Sequence, residues 1–427
     1  IIEVEKSEMG MILYGMVAVT TMALACLVNN QTKVITGQLH NTKEIIRRQG
    51  LNTLSLLAVF TILFLLSALR MEVGNDYETY VDTIHEIYVG GYVVTEPLFN
   101  GVVKMLCELS GGENYLLVFA VFAFVTIWIF LKVLYEQTED FPMAFFLFMT
   151  LGIYFRTFNT VRYYFVLAIT LYSFRFVLRR EYVKFISLIG LAALFHKSVL
   201  VVIPIYLIAN MIWKKWHMAI LAIGATAMVL FQDLIMKIAL ELYPSYKDTI
   251  FLETETGLSG NLMSVFRCVA VLILALFCYR DVIKCVDGDS VGSNVLERTG
   301  GNVEKKALLY ADDNASGNNG LKEKMECQFY FKLNILAILL YLCGSFLPLV
   351  GRIGYYLMTS HVLFIPAMLG SIKNEKKRKL LTAIVIIACV IYFLLFLRSA
   401  NQPGVRVLPY KSWLFYEKEF LNAETIF

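Results

Sequence analysis

The sequence predicts an all-α polytopic membrane protein with about twelve transmembrane helices, and three observations predict it. Hydrophobic residues make up 58% of the 427 and charged residues 17%, with mean hydropathy +0.65, against about 45–50% and about 25% in soluble proteins. Apolar runs, several of them near the roughly 20 residues that a bilayer-crossing helix needs, recur along the chain without the alternation of strands. Lysine and arginine cluster in every second kind of connection rather than in all of them. This composition excludes a soluble globular enzyme. A net charge of +4 with no basic stripe gives nucleic acid no electrostatic footprint. The cysteines lie scattered, mostly in apolar runs, with no CxxC pair, so neither a disulfide framework nor a zinc site is indicated.

The runs fall at Met11–Val28, Leu51–Leu69, Tyr115–Leu134, Pro142–Phe155, Tyr163–Leu178, Val183–Phe195, Val199–Trp213, Met218–Ile235, Leu262–Tyr279, Phe331–Val350, Tyr355–Leu369 and Leu380–Leu397. The first lacks a cleavage pattern and reads as a retained helix. Lys33, Lys43, Arg47, Arg48, Arg175, Arg179, Arg180, Lys184, Lys214, Lys215 and the group Lys373 to Lys379 all fall in odd-numbered connections. Basic residues near span ends stay in the cytoplasm, so these connections are expected there. The acidic stretch 70–114, both termini and the tail 398–427 then face outward, all within a single transmembrane domain over 1–427. Residues 281–326 are rich in Gly, Asn, Asp and Ser and carry too few apolar side chains to offset the cost of ordering, which predicts a disordered cytoplasmic insert.

An ionisable residue inside an apolar run costs about 2.5–3.5 kcal/mol on insertion scales, so it asks for a reason. The isolated ones gather at the external ends of different spans: Arg70, Asp76, Glu96, Arg156, Arg162, His196 and Arg352. Gly74, Asn75 and Asp76 favour a turn that folds Arg70 and Asp76 back toward the interface. Pro97 after Thr95-Glu96 predicts a short amphipathic or re-entrant helix with Glu96 at its N-terminus. Arg156 and Arg162 share the tightest external hairpin, and two cations there need an anion. His196 interrupts continuous apolar sequence from Val183 to Ala209.

Taken in order, the R-x3-G-x-D-Y-x2-Y of Arg70 to Tyr80, the EPLF of Glu96 to Phe99, Arg162, the FHKS of Phe195 to Ser198, the R-I-x-Y-Y of Arg352 to Tyr356 and the LPYKS of Leu408 to Ser412 resemble the EpsG family. That resemblance implies a Wzy-like exopolysaccharide or capsular polysaccharide polymerase of the bacterial cytoplasmic membrane. Its architecture would be similar to the lipid-dependent, GT-C-like membrane glycosyltransferases. Its substrates would be oligosaccharide repeat units on a polyprenyl diphosphate, with membrane lipid around it and a flippase and a chain-length regulator as partners.

The chemistry of the residues fits that implication. Displacing a diphosphate requires fixed cations where negative charge develops, and guanidinium groups match phosphate oxygens bidentately; Arg70, Arg156, Arg162 and Arg352 are the candidates. The attacking sugar hydroxyl must lose a proton to a positioned carboxylate or imidazole, for which Asp76 stands first, then Glu96 and His196. Tyr77, Tyr80, Tyr355, Tyr356, Tyr410 and Lys411 are expected to bind sugar or to hold the structure. No nucleotide-binding glycine loop is present, and a diphosphate-activated donor requires no cofactor, which leaves a divalent cation open. Two readings remain beside polymerisation: a single-sugar transferase using a polyprenyl monophosphate, and a flippase for lipid-linked oligosaccharide.

Overall fold

The computed structural model describes residues 2–29, 42–242, 258–278, 319–347, 350–402 and 405–414, and these are helical with no β-strand among them. The expected insert lies outside the described residues as far as 318; from Asn319 the chain is helical. Helices α1 (Ile2–Ala25), α2 (Thr42–Ala68), α3 (Tyr77–Val89), α4 (Pro97–Leu109), α5 (Tyr115–Glu136), α6 (Phe141–Thr150), α7 (Ile153–Arg156) and α8 (Val161–Leu178) come first. They are followed by α9 (Tyr182–Ala193), a 3-10 turn at Lys197–Val201, α10 (Val202–Asn210), α11 (Lys215–Leu230), α12 (Gln232–Leu242) and α13 (Leu258–Phe277). The last are α14 (Asn319–Cys343), α15 (Val350–Met358), α16 (His361–Gly370) and α17 (Glu375–Ser399).

Among the described residues, seven segments are long and apolar enough to cross a bilayer, or eight if the bent pair α11 and α12 is one span. This is fewer than the dozen apolar runs, because four of those runs fold as helices of 10–17 residues. The run Pro142–Phe155 shows why. Gly152 adopts φ +71°, ends the helix, and lies so close to Phe396 that a Cβ there would sit 3.2 Å from its ring. The run Met218–Ile235 turns through 82° between α11 and α12.

The chain forms two compact units. The first comprises 1–172, 191–197 and 380–427, the second 173–190 and 198–379. In the first, α3 buries Tyr77, Tyr80, Ile84 and Ile87 on one face, the spacing of an amphipathic helix. It ends at Gly90 in the left-handed conformation, with Gly91 N–H bonded to Glu86 O at 2.8 Å. Pro97 opens α4, its fixed φ suited to the first helical position and its missing N–H unneeded there; Phe99, Val103, Leu106 and Cys107 form its buried face. At 13 residues each, neither helix is long enough to span. The core of this unit is aromatic, with Tyr14 against Phe155 at 4.7 Å and Phe155 against Phe393 at 5.7 Å between ring centroids. Each such pair contributes about 0.5–1.5 kcal/mol beyond its burial.

In the second unit α14 and α15 cross tightly: a Cβ at Gly354 would stand 2.2 Å from the Tyr341 ring. The span Val350–Gly370 is broken between α15 and α16, and the Met358 carbonyl there accepts a bond from Arg267 at 3.2 Å. Arg267 Nε also donates to His361 Nδ1 at 3.2 Å, His361 Nε2 meets Asn334 Oδ1 at 2.9 Å, and Asn334 donates to Cys268 O at 3.0 Å. Apolar surroundings make an unsatisfied polar group costly, so this chain of bonds is what allows Arg267, His361 and Asn334 to be buried.

Candidate active site in the first unit

The second span hands over to the site two residues after α2 ends. Arg70 and Ser412 form an isolated antiparallel bridge, with Met71 N–H bonded to Lys411 O and Trp413 N–H to Leu69 O, both at 3.0 Å. Gly74 N–H reaches Arg406 O at 2.8 Å, the Tyr410 hydroxyl reaches Leu66 O at 3.0 Å, and Tyr14 reaches Val407 O at 2.6 Å. Lys411 pairs with Glu72 at the surface. The tail is thus a strap along the exit of α2, held mainly by backbone.

Arg70 itself is only 2% exposed. Its guanidinium donates to the carbonyl and hydroxyl of Ser67 and lies 5.0 and 5.3 Å from the Phe119 and Phe158 ring centres. No carboxylate pairs with it among the described residues, and burial lowers its pKa to about 10, which leaves it a cation at neutral pH. It lines a small pocket with Ser67, Thr126 and Thr157 that has room for about one water.

Gly74 lets the chain turn where no other residue fits. Its φ is +107°, and a Cβ would lie 2.2 Å from the Phe158 carbonyl oxygen. This close approach places Asn75 N–H on Asn159 Oδ1 at 3.1 Å and the Asp76 carboxylate on the Thr160 hydroxyl, which donates to it at 2.6 Å. Asp76 occupies the N-cap position of α3 yet makes no capping bond there, although capping is the common use of Asp at that position. Its carboxylate is turned to Thr160 instead.

Glu96 joins three elements. It precedes α4, its Oε2 pairs with Arg162 in the first turn of α8, and its Oε1 accepts the Lys197 N–H at 3.0 Å and stands 3.5 Å from His196 Nδ1. The side chains of Arg162, Glu96 and His196 are 18%, 12% and 10% exposed. Arg162 lies 5.0 Å from the Phe99 ring centre and 5.9 Å from that of Tyr80, whose hydroxyl accepts the Arg162 N–H at 3.2 Å. Leu98 N–H bonds Leu194 O at 3.2 Å, and the His196 ring stands edge-on to Tyr163 at 5.8 Å. Burial raises the Glu96 pKa, but the bonds from His196 and Lys197 and the Arg162 charge outweigh it and hold the group at about 2. Glu96 is therefore a permanent anion at working pH.

The first unit so brings together Asp76, Tyr80, Glu96, Arg162 and His196, with Tyr77 stacked on Phe119 at 4.8 Å, and holds Arg70, Tyr410 and Lys411 along the strap. Arg156 lies 5.4 Å from the Phe396 ring centre. Arg352, Tyr355 and Tyr356 belong to the second unit. There Tyr356 is buried, its hydroxyl 3.0 Å from that of Ser198 and its carbonyl accepting from Tyr206 at 2.9 Å. Sequence reasoning missed Thr160, Asn159 and the Lys197 backbone; a hydroxyl one residue before a helix start is the signal that points to Thr160. Among the described residues no three His, Cys, Asp or Glu side chains stand together as a metal site requires.

Long apolar helices with a cluster of arginines, carboxylates and a histidine near the start of α8 and the exit of α2 define a polytopic membrane protein with a charged site at helix ends. The chain belongs to the EpsG family, whose model matches residues 53–412. EpsG is a family of Wzy-like polymerases, and membership supports a polysaccharide polymerase-type role in exopolysaccharide biosynthesis. Neither a curated relative nor a solved structure matches the chain. The matched residues run from within α2 to Ser412, so they include every side chain of the site.

Proposed function

We propose that the protein joins oligosaccharide repeat units carried on polyprenyl diphosphate, on the external face of the bacterial cytoplasmic membrane. The observation that carries this reading is the Arg162–Glu96–His196 group standing in the same unit as Asp76, within a chain of the EpsG family. A hydroxyl of the incoming unit attacks the anomeric carbon of the growing chain, the bond to the diphosphate oxygen breaks, and the diphosphate carrier leaves with the electron pair. Asp76, aimed by Thr160, takes the hydroxyl proton. Arg162 meets the diphosphate charge, with Arg156 as a further phosphate ligand. Arg70 is a positioning residue, since it is buried and anchored to Ser67 and the strap. No step requires a cofactor; a flippase supplies the substrate and a chain-length regulator acts on the product.

The lipid-linked pool of cells lacking the protein tests this. Complete single repeat units on the external leaflet support the polymerase. Incomplete units would identify a single-sugar transferase instead, and complete units confined to the cytoplasmic leaflet a flippase.

A further inference from the structure

We propose that Glu96 is a resting counter-ion standing where substrate binds: its carboxylate holds the face of Arg162 that a phosphate oxygen of the lipid diphosphate takes over. The inference deepens the polymerase reading and rests on it for the identity of the anion. Three features of the pair carry it.

First, Arg162 uses little of its donor capacity. Its Nη1 bonds Glu96, its side chain also bonds the Tyr80 hydroxyl, and its Nε is buried with no hydrogen-bond partner, although a guanidinium presents five donors in a fork that suits two oxygens at once. Second, the two oxygens of Glu96 are divided. Oε2 bonds Arg162, while Oε1 accepts the Lys197 N–H and faces His196. When Arg162 turns to another anion, Glu96 keeps both partners on Oε1 and stays in place, so the arginine is the exchangeable member. Third, the surroundings favour an anion at the arginine. Arg162 lies in the first turn of α8, where backbone N–H groups and the helix dipole favour negative charge, and Phe99 backs its guanidinium. Glu96 stays ionised at any working pH, so it always competes for the guanidinium.

Titration of inorganic pyrophosphate into the purified full-length protein by calorimetry, at fixed ionic strength, tests the exchange. Glu96→Gln keeps an oxygen for Lys197 and removes the competing charge; it should bind pyrophosphate about three- to tenfold more tightly than the unaltered protein. Arg162→Ala should bind weakly, and adding Glu96→Gln to it should bring no gain. Glu96→Asp, which withdraws the carboxylate without removing it, should fall between and serves if the glutamine variant does not fold. Equal or weaker binding by both Glu96 variants would overturn the proposal, as would the same gain in the Arg162→Ala background. These results stand apart from the polymerase reading: a gain that depends on Arg162 together with full-length polymer in Arg162→Ala cells would keep the exchange and refute the polymerase role of the site.

Discussion

Thr160 donates its hydroxyl to the Asp76 carboxylate at 2.6 Å, across 84 positions of sequence. The bond is made at the expense of the capping bond that Asp76 would otherwise offer α3, and it ties the exit of the second span to the start of α8. The proposed role of Asp76 as the base rests on this arrangement, a carboxylate without its local capping bond and aimed by a distant hydroxyl.

Asp76→Asn keeps an oxygen for Thr160 but removes the base. The variant should melt within about 2 °C of the unaltered protein and lose at least about a hundredfold of polymer formation. Thr160→Val should behave otherwise, losing about 1 kcal/mol of stability through the broken bond and only part of the activity. Melting curves in detergent and glycan profiles of the same two variants separate the roles.

Gly74 carries a backbone conformation that side chains rarely adopt, pressed on the Phe158 carbonyl. Gly74→Ala should cost about 1–3 kcal/mol from conformation alone, with more from the contact. The expected result is a lowered melting midpoint and lost activity; an unchanged midpoint would place the turn elsewhere.

The strap is held by backbone and buried hydroxyls rather than by its surface ion pair. Tyr410→Phe should cost about 1 kcal/mol and speed protease cleavage of the tail. Lys411→Ala should cost less than about 1 kcal/mol, because exposed pairs contribute little.

Glu96 also sets an acid limit. Its pKa is depressed from 4.5 to about 2 in the folded protein, so its contribution to stability is complete above about pH 4.5 and is lost as pH falls toward 2. Melting midpoints measured from pH 6 to pH 3 should fall for the unaltered protein and fall less steeply for Glu96→Gln.

In the second unit, His361→Ala removes the acceptor of Arg267 Nε and the partner of Asn334 Oδ1. Leaving two buried polar groups unsatisfied should cost about 2 kcal/mol or more, read as a lower melting midpoint.

The polar residues of the site were legible because each stood out against apolar sequence: Glu96 by the proline after it, His196 by the run it interrupts, Asp76 by the Gly74-Asn75 turn. Their partners were harder to see: Thr160 shows only as a hydroxyl one residue before a helix start, and a backbone N–H such as that of Lys197 carries no signal until the chain has folded. Arg267, His361 and Asn334 did carry one, as polar residues inside apolar runs, but lay within those runs and not at the run ends where the others gathered. Hydropathy registers an apolar run and not its length as one straight helix, so the breaks were not legible: Gly152 stops α6, and the bend between α11 and α12 divides another run.

The most direct test is the glycan profile of cells carrying Arg162→Ala or Asp76→Asn at equal membrane abundance, with the lipid-linked pool measured alongside. The account predicts loss of high-mass polysaccharide with a build-up of single complete repeat units in both. Full-length polymer in both variants would contradict it.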